Sequence, residues 1–383
     1  MYIFNSRRTP IQELIPLHKS MFSKPEVIKV LKSESRNSAV DVFRGLAIIV
    51  VVLFHFNHLL PFGYLGVDLF FVISGLLVGG LITKEFRQTG SVNFFRFFLQ
   101  RGFKIWPSYY FFLIFGTLFA YLVYSESHPD QLIGPGDALR YFFFYQNYTG
   151  EPLHWSFDHV WSLCVEEHFY ILLPLLFLSV RLLFAESNRR NAVYAFVIGA
   201  IVTGIVMKAA SWFLTTGKDT YSASHNRIDA LEWGLLLNLI ITDFGSRLKT
   251  FAGLKYLFLI GVAIFALTLY FHLSLGSIIF QKIIFHSIVS FSFFLMIFGL
   301  YFVDFTKWYP VRFVAYYSYN WYLWHPPFVM IVTDYFGVTF AGVVVFLIGS
   351  FGMAVMSTTL VEEYFLRKRK DVLNRIFPSG GRR

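Results

Sequence analysis

Cysteine is almost absent: Cys164 is the only one in 383 residues. A disulfide framework and a thiolate metal cluster are therefore both excluded. Charge is also scarce. Asp, Glu, Lys and Arg make up 15% of the chain, against roughly 25% in soluble domains. The shortage recurs along nearly the whole chain, so the apolar surface must face lipid. The opening MYIFNSRRTPIQELIPLHKS has no apolar run of the kind a cleavable signal peptide needs, and insertion is expected to be directed by the first span. There is no repeat of fixed period, and no polar stretch long enough for a separate soluble catalytic domain. Any chemistry belongs to the membrane part.

Apolar residues, in contrast, reach 56%, with 48 Phe and a mean hydropathy of +0.57. A lipid-spanning helix needs about 20 mostly apolar residues. Segments of that kind fall at 39–60, 64–83, 105–124, 158–184, 192–213, 227–242, 251–272, 277–303, 312–333 and 338–360. The expected fold is an all-α integral membrane bundle of about ten helices. The segment 227–242 is the least apolar, since it opens with Arg227, Asp229 and Glu232. A β-barrel would show alternation in ten-residue segments, and these runs are continuous.

The net charge of +10 is distributed as a topology signal, not as a nucleic-acid footprint. With the N-terminus inside, only Arg140, Lys218, Arg227 and Lys282 fall on the outer side, and Arg44 and Lys208 lie within spans. All other Lys and Arg then lie inside, as the positive-inside rule predicts. Both termini are expected in the cytoplasm, with the lipid bilayer as partner and no nucleic acid. The expected organisation is a basic segment over 1–38, read as an amphipathic surface helix, then a transmembrane domain over 39–361 and a basic tail over 362–383.

Ionisable groups within spans are costly to insert and mark functional sites. In VDVFRGLAIIVVVLFHF, Arg44 and His55 are eleven residues apart. They share a helix face and lie about 16–17 Å apart along the axis. In VWSLCVEEHFYILLPLL, Glu166 falls at a depth matching His55, where a carboxylate facing an imidazole orients a general base. At FFRFFLQRGFKIWP, Arg101 and Lys104 sit one turn apart and, with Arg96, form a cationic patch suited to phosphate oxygens. Asp68 and Ser74 lie in the second span, Arg227 and Asp229 open the sixth, and YSYNWYLWHPPF carries Ser318, Tyr319, Tyr322, Trp324 and His325 in the ninth. Each has a bland alternative: interfacial arginine, packing histidine, packing glutamate or aromatic belt. No metal site is expected.

Taken in order, the stretches DVFRGLAIIVVVLFHF, GYLGVDLFFVISGLLVGGLI, RGFKIWPSYY, WSLCVEEHFYILLPLL, HNRIDALEWGLLL, SYNWYLWHPPF and VEEYFLRKR resemble the acyltransferase family 3 of membrane O-acyltransferases, across about residues 40–370. The resemblance implies a membrane acyltransferase, multi-pass in a bacterial inner membrane. It implies acyl-CoA, acetyl-CoA first, as a cytoplasmic donor substrate and not a resident cofactor. The acceptor it implies is a carbohydrate or glycolipid hydroxyl reached from the outer side. By this resemblance His55 is the base with Glu166 its catalytic partner, Arg44, Arg101 and Lys104 bind acyl-CoA, and Asp68, Ser74, Arg227, Asp229, Tyr322, Trp324 and His325 bind the acceptor or line the cavity. Lys104 stands where the family commonly has Arg, and His168 where it commonly has Gln. The chain is expected to be the standalone form, without the C-terminal esterase-like domain of some relatives. Direct attack and an acyl-histidine intermediate are both open, as is a different class of function, a proton-coupled transporter using His55, Glu166 and Asp68 as a relay.

Overall fold

The computed structural model describes residues 31, 36–124, 132–149, 155–215 and 220–377. The chain divides into two units, Met1–Asn37 and Ser38–Arg383. The surface helix expected within 1–38 lies outside the described residues. The long helices of the second unit begin with α1 (Ser38–His55), α2 (Gly66–Thr89) and α3 (Phe94–Tyr124), followed by a short α4 (Pro135–Phe142). After these come α5 (Trp161–Leu183), α6 (Arg189–Leu214), α7 (Ile228–Thr250), α8 (Lys255–Leu275) and α9 (Phe285–Leu300). The described chain ends on α10 (Tyr309–Phe336), α11 (Phe340–Ser357) and α12 (Glu363–Ile376). No strand occurs among the described residues. The protein is an all-α, multi-pass membrane bundle.

Every segment singled out by hydropathy is a helix, with shifted ends. Among the described residues, eight helices are long and apolar enough to cross a membrane; the long helices α7 and α10 fall short on composition. Both are interior helices. Asp229 and Glu232 on α7, and Ser318, Asn320 and His325 on α10, are buried in the bundle. Polar side chains there face protein, so hydropathy underrates the helix that carries them. Conversely Ile114, Leu118 and Leu122 of α3 and Leu259 of α8 are exposed, forming lipid-facing surface.

α1 is shorter than the run 39–60 suggested. It ends at His55, where Asn57 and His58 take left-handed backbone conformations (φ 51° and 54°) and turn the chain toward α2. His55 is thus the last residue of α1, close to the exposed Asn57. α3 starts eleven residues earlier than position 105, so the basic stretch around Arg96 and Arg101 is helical. Pro107, Pro174, Pro326 and Pro327 lie inside helices; the carbonyls of Tyr322 and Leu323, which Pro326 and Pro327 free, are met by the His325 and His159 rings at 2.8 and 3.1 Å.

The α2–α7 contact is the most extensive in the bundle. A Cβ on Gly75 would overlap the Leu231 carbonyl, and one on Gly234 would overlap that of Val72. Reciprocal glycines let the two backbones meet, as small residues do at membrane helix interfaces. This contact fixes Asp68 at the start of α2 against Arg227 and Asp229 at the start of α7. α10 packs against α1 on one side and α11 on the other, which brings His325 to His55.

Candidate active site

Helices α1, α2, α3, α5 and α10 enclose a cavity of about 140 Å3. Its polar wall comprises Arg44 from α1, Ser74 from α2, Arg101 and Lys104 from α3, Glu166 and Ser162 from α5, and Ser318, Tyr319 and Tyr322 from α10. Sequence reasoning thus placed three cations and a carboxylate that the fold does bring together. Tyr170, one turn beyond Glu166 on α5, links that carboxylate to Arg101 and Ser74. Its hydroxyl donates to Glu166 Oε2 at 2.5 Å and accepts from Ser74 Oγ at 3.0 Å and from Arg101 Nη2 at 3.3 Å. The Arg101 guanidinium also lies 5.0 Å from the centre of the Tyr170 ring, and its buried Nε has no hydrogen-bond partner.

Lys104 is differently placed. Its ammonium forms an ion pair with Glu362, which also accepts from Asn320 Nδ2 at 2.8 Å. Glu362 lies in the π turn Thr358–Glu362 that joins α11 to α12, and α12 packs on α3. The charge expected to meet a donor phosphate is therefore already met by the chain itself. Replacing Lys104 by Met leaves the Glu362 carboxylate buried and uncompensated, with an expected loss of about 3 kcal/mol. Thermal unfolding of the detergent-purified protein measures it. Pairing that change with Glu362→Gln should restore most of the loss, whereas equal melting of the single variant and wild type would show the pair to be idle.

The expected His55–Glu166 pair is not formed. Glu166 is drawn to Tyr170 and the cations around it. The His55 ring turns back on its own helix, with Nδ1 2.9 Å from the Val51 carbonyl. A nitrogen facing a carbonyl must carry the proton, so Nε2 keeps the lone pair. The orienter that the imidazole needs is thus a backbone oxygen, not a carboxylate.

Two further histidines surround His55. The ring of His325 lies 4.8 Å from that of His55 and 5.4 Å from that of His159. His325 Nδ1 faces the Tyr322 carbonyl at 2.8 Å and His159 Nε2 faces the Leu323 carbonyl at 3.1 Å. By the same argument the other nitrogen of each holds a lone pair, and both are buried without a partner. Tyr322 joins this cluster to the cavity: its hydroxyl donates to the His159 carbonyl at 2.6 Å and meets Ser162 Oγ at 2.7 Å. His55 itself does not line the cavity. Tyr322, which lines the cavity, and His325, whose ring lies 5.8 Å from that of Tyr322 and 4.8 Å from that of His55, stand between them.

The remaining expected residues divide. Asp68, Arg227 and Asp229 belong to a second buried network, in which Arg227 Nη2 donates to Asp68 Oδ1 at 2.6 Å and Lys208 Nζ donates to Asp229 Oδ2 at 2.6 Å. His286 Nδ1 lies 3.1 Å from Asp68 Oδ2. Trp324 packs edge-on against Phe112 at 5.2 Å and lines neither this cavity nor the one beside Arg227. Sequence reading passed over His159, Tyr170 and His286. Lys208 was available by the rule applied to Arg44, being a lysine inside an apolar run.

Comparison with known proteins places the chain. The family model described as an acyltransferase domain matches residues 37–362, most of the chain, and the protein belongs to that family. O-acetyltransferase OatA of Staphylococcus aureus (strain NCTC 8325 / PS 47) is 26% identical over 317 residues, covering 78% of this chain and 51% of the relative. Peptidoglycan O-acetyltransferase OatA of Listeria monocytogenes serovar 1/2a is 27% identical over 186 residues, covering 45% of this chain and 28% of the relative. The chain spans about half the length of the Staphylococcus aureus relative. No solved structure matches.

Proposed function

We propose that this protein is a membrane O-acyltransferase that moves an acyl group, acetyl first, from cytoplasmic acyl-CoA to a carbohydrate hydroxyl presented from the outer side of a bacterial inner membrane. The observation that carries the reading is the convergence of Arg44, Arg101, Ser74, Glu166 and Tyr322 on one cavity that abuts a histidine cluster, in a chain of the acyltransferase family. The cationic end of the cavity, at Arg44 and Arg101, suits the phosphates of the donor, and its pantetheine arm then runs along α1 toward His55. His55, at the opposite end of α1, takes the proton of the acceptor hydroxyl on Nε2. The oxygen attacks the thioester carbonyl, the carbon–sulfur bond breaks, and the imidazolium returns the proton to the departing CoA thiolate. General base catalysis of this kind contributes typically about 10²–10⁴-fold. The two substrates meet across the wall of Tyr322 and His325, which must give way for transfer.

The test is acyl transfer by the detergent-purified chain. Acetyl-CoA and a bacterial surface glycan are supplied, and free CoA thiol and glycan-bound acetyl are measured together. Thiol release that depends on the glycan, with acetyl recovered on it, is the expected result. Proton-coupled uptake into vesicles with no thiol release would establish the transporter instead.

A further inference from the structure

A separate cavity, of about 640 Å3, opens where α7 and the ends of α2 and α5 meet the start of α6. Its rim carries Arg87, Arg181, Arg189 and Arg190. Its floor is apolar, made by Phe86, Phe177, Val193 and Leu239, all of them buried in the bundle. The four arginines are not equivalent. Arg87 and Arg190 both form ion pairs with Asp243, which also accepts from the Tyr194 hydroxyl at 2.9 Å. Arg181 and Arg189 are held by uncharged groups instead. Arg181 Nη1 donates to Ser91 Oγ at 2.5 Å, and Arg189 donates to the Phe184 and Arg181 carbonyls at 3.3 and 3.4 Å. Among the described residues Glu186 is the one carboxylate in the wall, and it forms an ion pair with neither. These bonds fix the two guanidinium groups and leave their charge unmatched. Arg181 is exposed and Arg189 half-buried, so both are open to a ligand.

The positive-inside rule accounts for arginines at this end of the bundle, but not for the apolar floor beneath them. The same helices present leucines and other apolar side chains to lipid just beyond the rim. On α5, Leu178 and Leu182 flank Arg181 and are exposed, and on α6 so are Ile198 and Val202. A ligand with an anionic head and an aliphatic body thus meets cations, then the floor, then lipid-facing helix. A water-soluble phosphate would use the rim alone. Guanidinium forks suit phosphate oxygens, and basic pockets between transmembrane helices accept phospholipid head groups.

We propose that this cavity holds the head group of an anionic glycerophospholipid from the adjoining leaflet, its phosphate on Arg181 and Arg189 and its chains along α5 and α6. The proposal stands apart from the acyltransferase reading. The lipid braces α2 and α5, which also wall the first cavity, so stability is the readout. The full chain, delipidated in a neutral detergent, is melted with phosphatidylglycerol and with phosphatidylcholine. Phosphatidylglycerol is expected to raise the Tm about 5 °C more than phosphatidylcholine, with the excess shrinking as salt rises. Glycerophosphate, the head without chains, should give none of the excess. Arg181→Gln together with Arg189→Gln should erase it, and Arg181→Gln alone, at an exposed position, should lower it. Arg247→Gln with Lys249→Gln removes two exposed cations of α7 outside the cavity and should keep it. Equal melting with the two lipids, the full excess from glycerophosphate, or the same loss in both double variants overturns the proposal. So does loss of the excess when CoA is added, which would assign the rim to the nucleotide of the donor.

Discussion

Replacing His55 by Gln is expected to lower acyl transfer about a thousandfold, within the range for loss of a general base, with the bundle intact. The ring stands at the last residue of α1 and is only half-buried. Its hydrogen bond runs to the Val51 carbonyl, which a glutamine amide can also serve. What glutamine lacks is a nitrogen lone pair that takes up a proton near neutral pH. The informative companion is His325→Gln. His325 is buried, donates to backbone carbonyls through Nδ1, and holds an unpartnered Nε2 between His55 and the cavity. If His55 is the base and His325 positions it, His325→Gln costs far less in kcat than His55→Gln and shifts the acidic limb of the pH–rate profile. CoA-thiol release measures both, with far-ultraviolet circular dichroism as the fold control. Transfer by the His55 variant within about threefold of wild type, alongside a collapse in the His325 variant, would move the chemistry to the second histidine.

The difference between the two histidines also shows where sequence reading stops. Helix identity was readable because hydropathy is a local sum, and each run of about 20 apolar residues did become a helix. α7 and α10 were weaker signals because their polar residues face other helices, a fact that belongs to the assembled bundle. Arg44, Arg101, Lys104 and Glu166 reached one cavity because an ionisable group within lipid is costly unless it points inward. Their pairings were not readable. The depth of Glu166 along its helix matched that of His55, but depth leaves azimuth open. Tyr170, one turn further along α5, turns the carboxylate toward Arg101. The end of α1 was misplaced because FHFNHLLPF continues the apolar run while Asn57 and His58 turn the backbone, and hydropathy does not register a left-handed residue. Lys104 was read as a ligand of the donor because its partner, Glu362, is 258 positions away in the sequence. His159 fell inside the expected span 158–184 and was passed over, because its meaning comes only from α10 lying beside it, where its Nε2 meets the Leu323 carbonyl.

Arg101→Gln is expected to raise the KM for acetyl-CoA about a hundredfold, near 2.8 kcal/mol at about 1.4 kcal/mol per tenfold, with kcat changed by less than about threefold. Of the cations lining the first cavity, Lys104 is bound to Glu362, while Arg101 donates to the neutral hydroxyl of Tyr170 and keeps a buried Nε without a partner. The planar fork of its guanidinium suits a phosphate oxygen. Arg101→Lys retains the charge without the fork, and its KM should fall between the two. The donor can be truncated to ask what Arg101 touches. S-acetylpantetheine has the thioester and the arm but no phosphate. If Arg101 meets a phosphate, the wild type loses affinity on this donor and the Arg101→Gln penalty vanishes, because both proteins then lack the same contact. A penalty of equal size on both donors would place the guanidinium at the thioester carbonyl instead. It would then stabilise the oxyanion, and kcat, not KM, would carry the loss.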